Sequence, residues 1–180
     1  MADTKDNIMR KIKIAKATLN VGAGKDQNVL NKGMMLIKHI TGLDAVKTKT
    51  YKRLQAWGLR PGLPVGCKLT IRDPEMIRDL VERFLDAKNN ELSLKQFDEN
   101  GNVAFGIPEY IDIKGVKYNP DIGMMGLQIC LTLERPGYRI KKRRIENRKV
   151  SHKHSVSKDD AIKFMKDNYN IIIQEESGEE

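Results

Sequence analysis

Val65 to Leu85 reads VGCKLTIRDPEMIRDLVERFL, and its character changes once, in the middle. Val65 to Ile71 is strand-like, rich in β-branched and apolar residues. Asp73 then stands as a helix N-cap with Pro74 at the first helical position, where a missing N–H costs nothing. Behind it Met76, Ile77, Leu80, Val81, Phe84 and Leu85 fall on one side of a helix. Strand and helix thus follow each other with almost no linker, which predicts a mixed α+β chain. Upstream, Asp26 to Thr41 places Val29, Leu30, Gly33, Ile37 and Ile40 on one helix face, with Gly42 as its stop. Before that, Lys11 to Val21 alternates in part and runs into a turn at Gly22 and Gly24. Downstream, FDENGN (97–102) is a turn, followed by strand-like segments at Asn102 to Ile107, Ile111 to Val116 and Leu127 to Leu133. Ser157 and Asp160 resemble a capping box ahead of Ala161, Ile162, Met165 and Tyr169, and Ile171 to Ile173 reads as an edge strand. A sheet covered by helices on one face leaves the other face free for a ligand.

Charge says what kind of ligand. The 180 residues carry a formal +9, but unevenly. Ala45 to Arg72 holds +7 with no acid, and Arg135 to Lys158 holds +9, so these two blocks account for +16 and leave −7 on the remainder. Such segregation builds a directional field suited to a polyanion. Within the first block Lys47, Lys49, Lys52, Arg53 and Arg60 can neutralise phosphates, while Tyr51 and Trp57 offer faces for unpaired bases, each stack contributing about 1–3 kcal/mol. RNA binding is the reading that uses both. Neither block repeats apolar residues at helical spacing, which argues against a membrane surface.

The length fits one domain over residues 1–180, able to bury roughly 70% of its unfolded surface without metal or disulfide. Cys67 and Cys130 are distant in sequence and not in a CxxC pattern, so they are expected as buried, reduced thiols in a reducing cytoplasm. No signal-peptide core or bilayer-length apolar run is present. The tail EESGEE (175–180) is expected to fray. Enzyme motifs fail on spacing. VGAGK (21–25) has Leu19 and Asp26 where a phosphate-binding loop needs glycine and Ser or Thr. His152 and His154 lack nearby partners at metal-ligand spacing, and no catalytic triad can be assembled. No cofactor, metal or small-molecule substrate is therefore expected. A DNA-binding reading shares the charge pattern but lacks a helix-turn-helix, zinc or zipper signature.

Several motifs together carry a family resemblance. They are TLNVGAG (18–24), RPGLPVGCKLTIR (60–72), DENGNVAFG (98–106) leading to Ile107-Pro108-Glu109, and YNPDIGMMGLQI (118–129). The chain resembles the universal large-subunit ribosomal protein five, the family that binds 5S rRNA. The run from Arg135, with KKRR, HKH and SKDDAIKFM, is similar to its archaeal and eukaryotic members, and overall the match is to the archaeal type.

The resemblance implies an antiparallel β-sheet with helices packed on one face, no enzymatic activity, and a ribosome-bound place in the cytoplasm. Its implied partners are 5S rRNA in the central protuberance, large-subunit rRNA, P-site tRNA and neighbouring large-subunit ribosomal proteins. Carried over by position, 5S rRNA contacts fall on Asn20, Trp57 and Thr70, with Arg72 beside them. The loop from Lys47 to Arg60, with Lys47, Lys49, Lys52, Arg53 and Arg60, corresponds to the one that reaches P-site tRNA. Leu43 departs from the pattern, standing where many members have a glutamine that contacts 5S rRNA, and Pro61 and Leu63 also vary. Lys141, Lys142, Arg143 and Arg144 form a third cationic group. Four successive like charges repel, so this block is expected to order only against RNA.

Overall fold

The computed structural model describes residues 7–174. Its centre is β1 (Lys13–Gly22), which pairs antiparallel with β3 (Pro64–Ile71) on one side and with β6 (Leu127–Glu134) on the other. β2 (Val46–Lys49) adds outside β3 and β5 (Asn102–Ile107) outside β6, giving the antiparallel order β2-β3-β1-β6-β5. Alternation then sorts the side chains. Ala17, Leu19 and Val21, with Cys67, Leu69 and Ile71 and with Ile129, Leu131 and Leu133, are buried on one face.

Three helices supply the cover. α1 (Gln27–Thr41) packs on β1 and β3, and α2 (Pro74–Asp86) on β1. α4 (Lys158–Tyr169) lies near β5. Each starts where the sequence marks it. Asp26 Oδ1 accepts from the Asn28 amide at 2.8 Å, Asp73 Oδ1 accepts from the Glu75 amide at 3.3 Å, and Ser157 with Asp160 forms the capping box. Gly42, in the left-handed region at φ 73°, ends α1.

Four features depart from the sequence reading. Lys47 to Lys49, expected at the start of the loop from Lys47 to Arg60, instead belong to the edge strand β2 (Val46–Lys49). Ile111 to Val116 is not a strand: the chain makes a 3-10 turn at Tyr110–Asp112 and satisfies its amides locally, Ile113 N–H to the Tyr110 carbonyl and Val116 N–H to the Ile113 carbonyl. Buried Tyr110 anchors the segment, its hydroxyl accepting from the Asn119 amide at 2.9 Å. Ile172–Gln174 (β7) pairs in parallel with β4 (Glu91–Ser93) in a separate two-stranded sheet rather than at the edge of the main one. Finally, Arg139–Lys142 forms a short α3 inside the second basic block. The expectation for the acidic tail lies outside the described residues.

Gly33 marks a close seat of α1 on the sheet: a Cβ there would stand 3.0 Å from Val21 Cγ1 and 3.2 Å from Cys67 Sγ. Gly33→Leu is expected to destabilise the fold by about 1–3 kcal/mol through overpacking. The urea midpoint should fall with an unchanged slope, and an unshifted midpoint would contradict this packing.

Candidate nucleic-acid interface

On the uncovered side of the sheet the strand registers line up three rungs. Val46, Lys68, Asn20, Gln128 and Gly106 form one, and Thr70, Thr18, Cys130 and Ala104 the next. Lys16, Thr132 and Asn102 form the third. Arg72, exposed, continues the alternation of Lys68 and Thr70 one step past β3. These rungs contain hydroxyls, amides and cations and no carboxylate. The acids lie at the rim. Glu134 is engaged by Lys142 Nζ at 2.6 Å, and Asp98 accepts from Asn102 Nδ2 at 3.1 Å and Asn100 Nδ2 at 3.4 Å. Those two side-chain bonds, Asn102 first, hold the Asp98 carboxyl below its ordinary pKa, so it stays charged at the border. Asn20 Nδ2 approaches Gln128 Oε1 at 3.5 Å, which leaves the Asn20 carbonyl oxygen as an acceptor. A surface of this kind can bond sugars, phosphates and base edges without repelling them.

A second surface projects from the sheet edge. Residues 50–63 continue β2 and β3 as an irregular hairpin. The Thr50 amide donates to the Leu63 carbonyl and the Gly62 amide to the Thr50 carbonyl, both at 2.9 Å. Leu54 and Leu59 exchange backbone bonds around the turn Gln55 to Gly58, and Gly58 closes it at φ 58°, a conformation that favours glycine. Lys52, Arg53 and Arg60 are exposed on this arm, as are Tyr51 at 92% and Trp57 at 67%. Ring faces left in water at that level are available for stacking.

The site residues expected from sequence thus separate. Asn20, Thr70 and Arg72 share the open face. Trp57 does not join them, since it sits at the hairpin turn with Lys52, Arg53 and Arg60. Lys47 and Lys49 are on β2 rather than in the loop, and Lys47 pairs with Cys67, the helix-side phase of the strand. Leu43 is exposed just after α1 and offers no side-chain polar group. In the third group, Lys142 is tied to Glu134, and Arg143 donates through Nε to the Glu146 carbonyl at 2.8 Å. Lys141 and Arg144 are exposed and make no ion pair among the described residues. The block is also stitched to the fold, because Arg135 bonds Asp160 at 2.8 Å and His154 Nε2 lies 2.8 Å from the Pro136 carbonyl.

Sequence reasoning missed Lys16, Thr18, Lys68 and Gln128. The first three could have been found by stepping two residues along the strand from Asn20 and Thr70. Gln128 could not, because its place depends on a register between β1 and β6.

Residues 7–60 match the family model described as Ribosomal protein L5, and residues 64–164 match the model of that family's C-terminus. The chain belongs to the ribosomal protein L5 family. It is 43% identical to the large ribosomal subunit protein uL5 of Nanoarchaeum equitans, over 92% of this chain and 97% of that protein. To the uL5 protein of Sulfolobus acidocaldarius it is 39% identical, over 95% and 96%. For that of Methanobrevibacter smithii the figures are 41%, 92% and 96%. The family is one of large-subunit constituents without enzymatic activity, bound to cytoplasmic ribosomes, with rRNA and ribosomal proteins as partners. No helix among the described residues is long and apolar enough to cross a membrane.

The two cysteines probe the two faces. Both are free: Cys67 is buried on the helix side, whereas Cys130, expected to be buried, is half-exposed in the second rung. Burial pushes both thiols above their ordinary pKa, so the reactive thiolate is scarce at neutral pH. Iodoacetamide should therefore label Cys130 slowly at pH 7 and faster as pH rises past 9, leaving Cys67 unmodified in the folded protein. Equal labelling of the two, read by peptide mass spectrometry, would contradict the assignment of faces.

Proposed function

We propose that the protein holds 5S rRNA on the open face of its sheet, helps attach it to the large subunit in the central protuberance, and reaches P-site tRNA with the hairpin of residues 50–63. The observation that carries this reading is the division between a carboxylate-free face of amides and hydroxyls and a separate cationic, aromatic arm. Asn20, Thr70 and Arg72 serve the first RNA together with Lys16, Thr18, Lys68 and Gln128. Lys52, Arg53 and Arg60 serve the second, with Lys47 and Lys49 at the root of the arm. Trp57 belongs physically to the arm although the resemblance connects it with 5S rRNA. Lys141 and Arg144 are the members of the third group left to meet large-subunit rRNA.

We read residues 1–180 as one domain on the same grounds. β1 and β2 from the first matched segment interleave in one sheet with β3, β5 and β6 from the second.

The test pairs two variants. Asn20→Ala with Thr70→Ala should weaken 5S rRNA binding by about tenfold or more, each lost polar contact contributing about 1 kcal/mol. Lys52→Ala with Arg53→Ala and Arg60→Ala should keep most of that binding and lower P-site tRNA occupancy on reconstituted ribosomes. If the arm variant loses 5S rRNA as severely as the sheet variant, one RNA occupies both surfaces and the division fails. Wild-type affinity for 5S rRNA should also drop about a thousandfold between roughly 50 and 200 mM salt if about six phosphates are contacted. A flat response would sink the electrostatic part.

A further inference from the structure

The hairpin turn does not stand alone. Lys25, exposed between β1 and α1, lays its side chain along Gly58: a Cβ at that glycine would collide with the Lys25 ammonium and would lie 2.8 Å from Cε and 3.9 Å from Cδ. The contact joins two segments 33 residues apart and puts a cation at the residue that follows Trp57, the only tryptophan in the chain. Lys25 makes no ion pair among the described residues. The neighbouring helix end is not a competing anion site, because the Asp26 carboxylate already caps it.

We propose that Lys25 and Trp57 form a composite site for one unpaired ribonucleotide, its base on the exposed indole face and its phosphate on the Lys25 ammonium. Gly58 is the floor of this site, since the absence of a side chain there is what admits the lysine. The inference rests on the RNA-binding reading above and adds a residue and a ligand unit to it. Stacking and charge neutralisation act on adjacent parts of one nucleotide, so each holds the other's partner in place. The arm would then select flexible, unstacked positions over continuous duplex.

Trp57 reports on its own site. The full-length protein is titrated with a ten-nucleotide single-stranded oligoadenylate while tryptophan emission is followed at several salt concentrations. Wild type should be quenched. Lys25→Ala should reach the same quenching at saturation with affinity lowered about three- to tenfold, and with a slope of log affinity against log salt shallower by about 0.7, one single-strand phosphate contact. Lys25→Arg should restore both. If Lys25→Ala titrates like wild type with the same slope, or if wild type is not quenched, the composite site is wrong. Filter retention of 5S rRNA is measured in parallel on the same proteins. Retained 5S rRNA binding beside a silent Lys25 overturns the nucleotide site alone, whereas wild type that fails to retain 5S rRNA overturns the RNA reading itself.

Discussion

Pairing of β1 on both edges is the constraint from which the rest follows. A central strand cannot shift to accommodate a ligand without breaking two ladders. Beyond a bulge between Ile14 and Lys16 its alternation is also strict, with Ala17, Leu19 and Val21 inside and Lys16, Thr18 and Asn20 outside. Sliding by one residue would expose Leu19 and Val21, forfeiting about 3–6 kcal/mol, and would push an amide and a hydroxyl into the core. The hydrophobic core therefore sets the positions of the polar groups on the open face of the sheet. That open face is as rigid as the packing behind it.

The parts legible in the sequence were those whose cause is local. Caps at Asp26, Asp73 and Ser157 and the stripes behind them mark α1, α2 and α4, because a helix closes its bonds within a few residues. Asn20 and Thr70 were reached through the family resemblance, and only the pairing of Thr18 with Thr70 makes them one surface. What stayed hidden depends on distant partners. β2 carries two lysines and a threonine in four residues, as a guarded sheet edge often does, and a run of charge reads as loop when its neighbour is unknown. Ile111 to Val116 has strand-like composition, but Tyr110 anchors it as a turn through a bond to Asn119. Trp57 was legible as a candidate contact residue but not as a tip, since the fold of residues 50–63 comes from backbone bonds across the arm.

The two cationic blocks differ in how much of their charge remains available. The block from Ala45 to Arg72 has no acid, and its exposed lysines and arginines make no ion pair among the described residues. The block from Arg135 uses several cations internally. Arg135 shares the Asp160 carboxylate with the Ser157 amide, Lys142 holds Glu134, and Arg143 leans on Glu146. With Arg135 only 13% exposed, its pair acts as a fastener between the end of β6 and α4, and removing one partner would leave a poorly solvated charge. Formal charge per segment therefore overstates the field of the second block and describes that of the first.

The strand order also governs how the chain matures as it is made. β1 is synthesised first among the strands, yet one of its two partners, β6, follows more than a hundred residues later. At elongation rates of about 5–20 residues per second, one edge of the future central strand stays open for roughly 5–25 s after it leaves the exit tunnel. During that interval the growing polypeptide offers an unsatisfied, β-prone edge beside a strongly cationic segment in a compartment crowded with nucleic acid. Completion of the sheet is thus a late event, and premature capture by stray polyanions is a hazard of the topology itself.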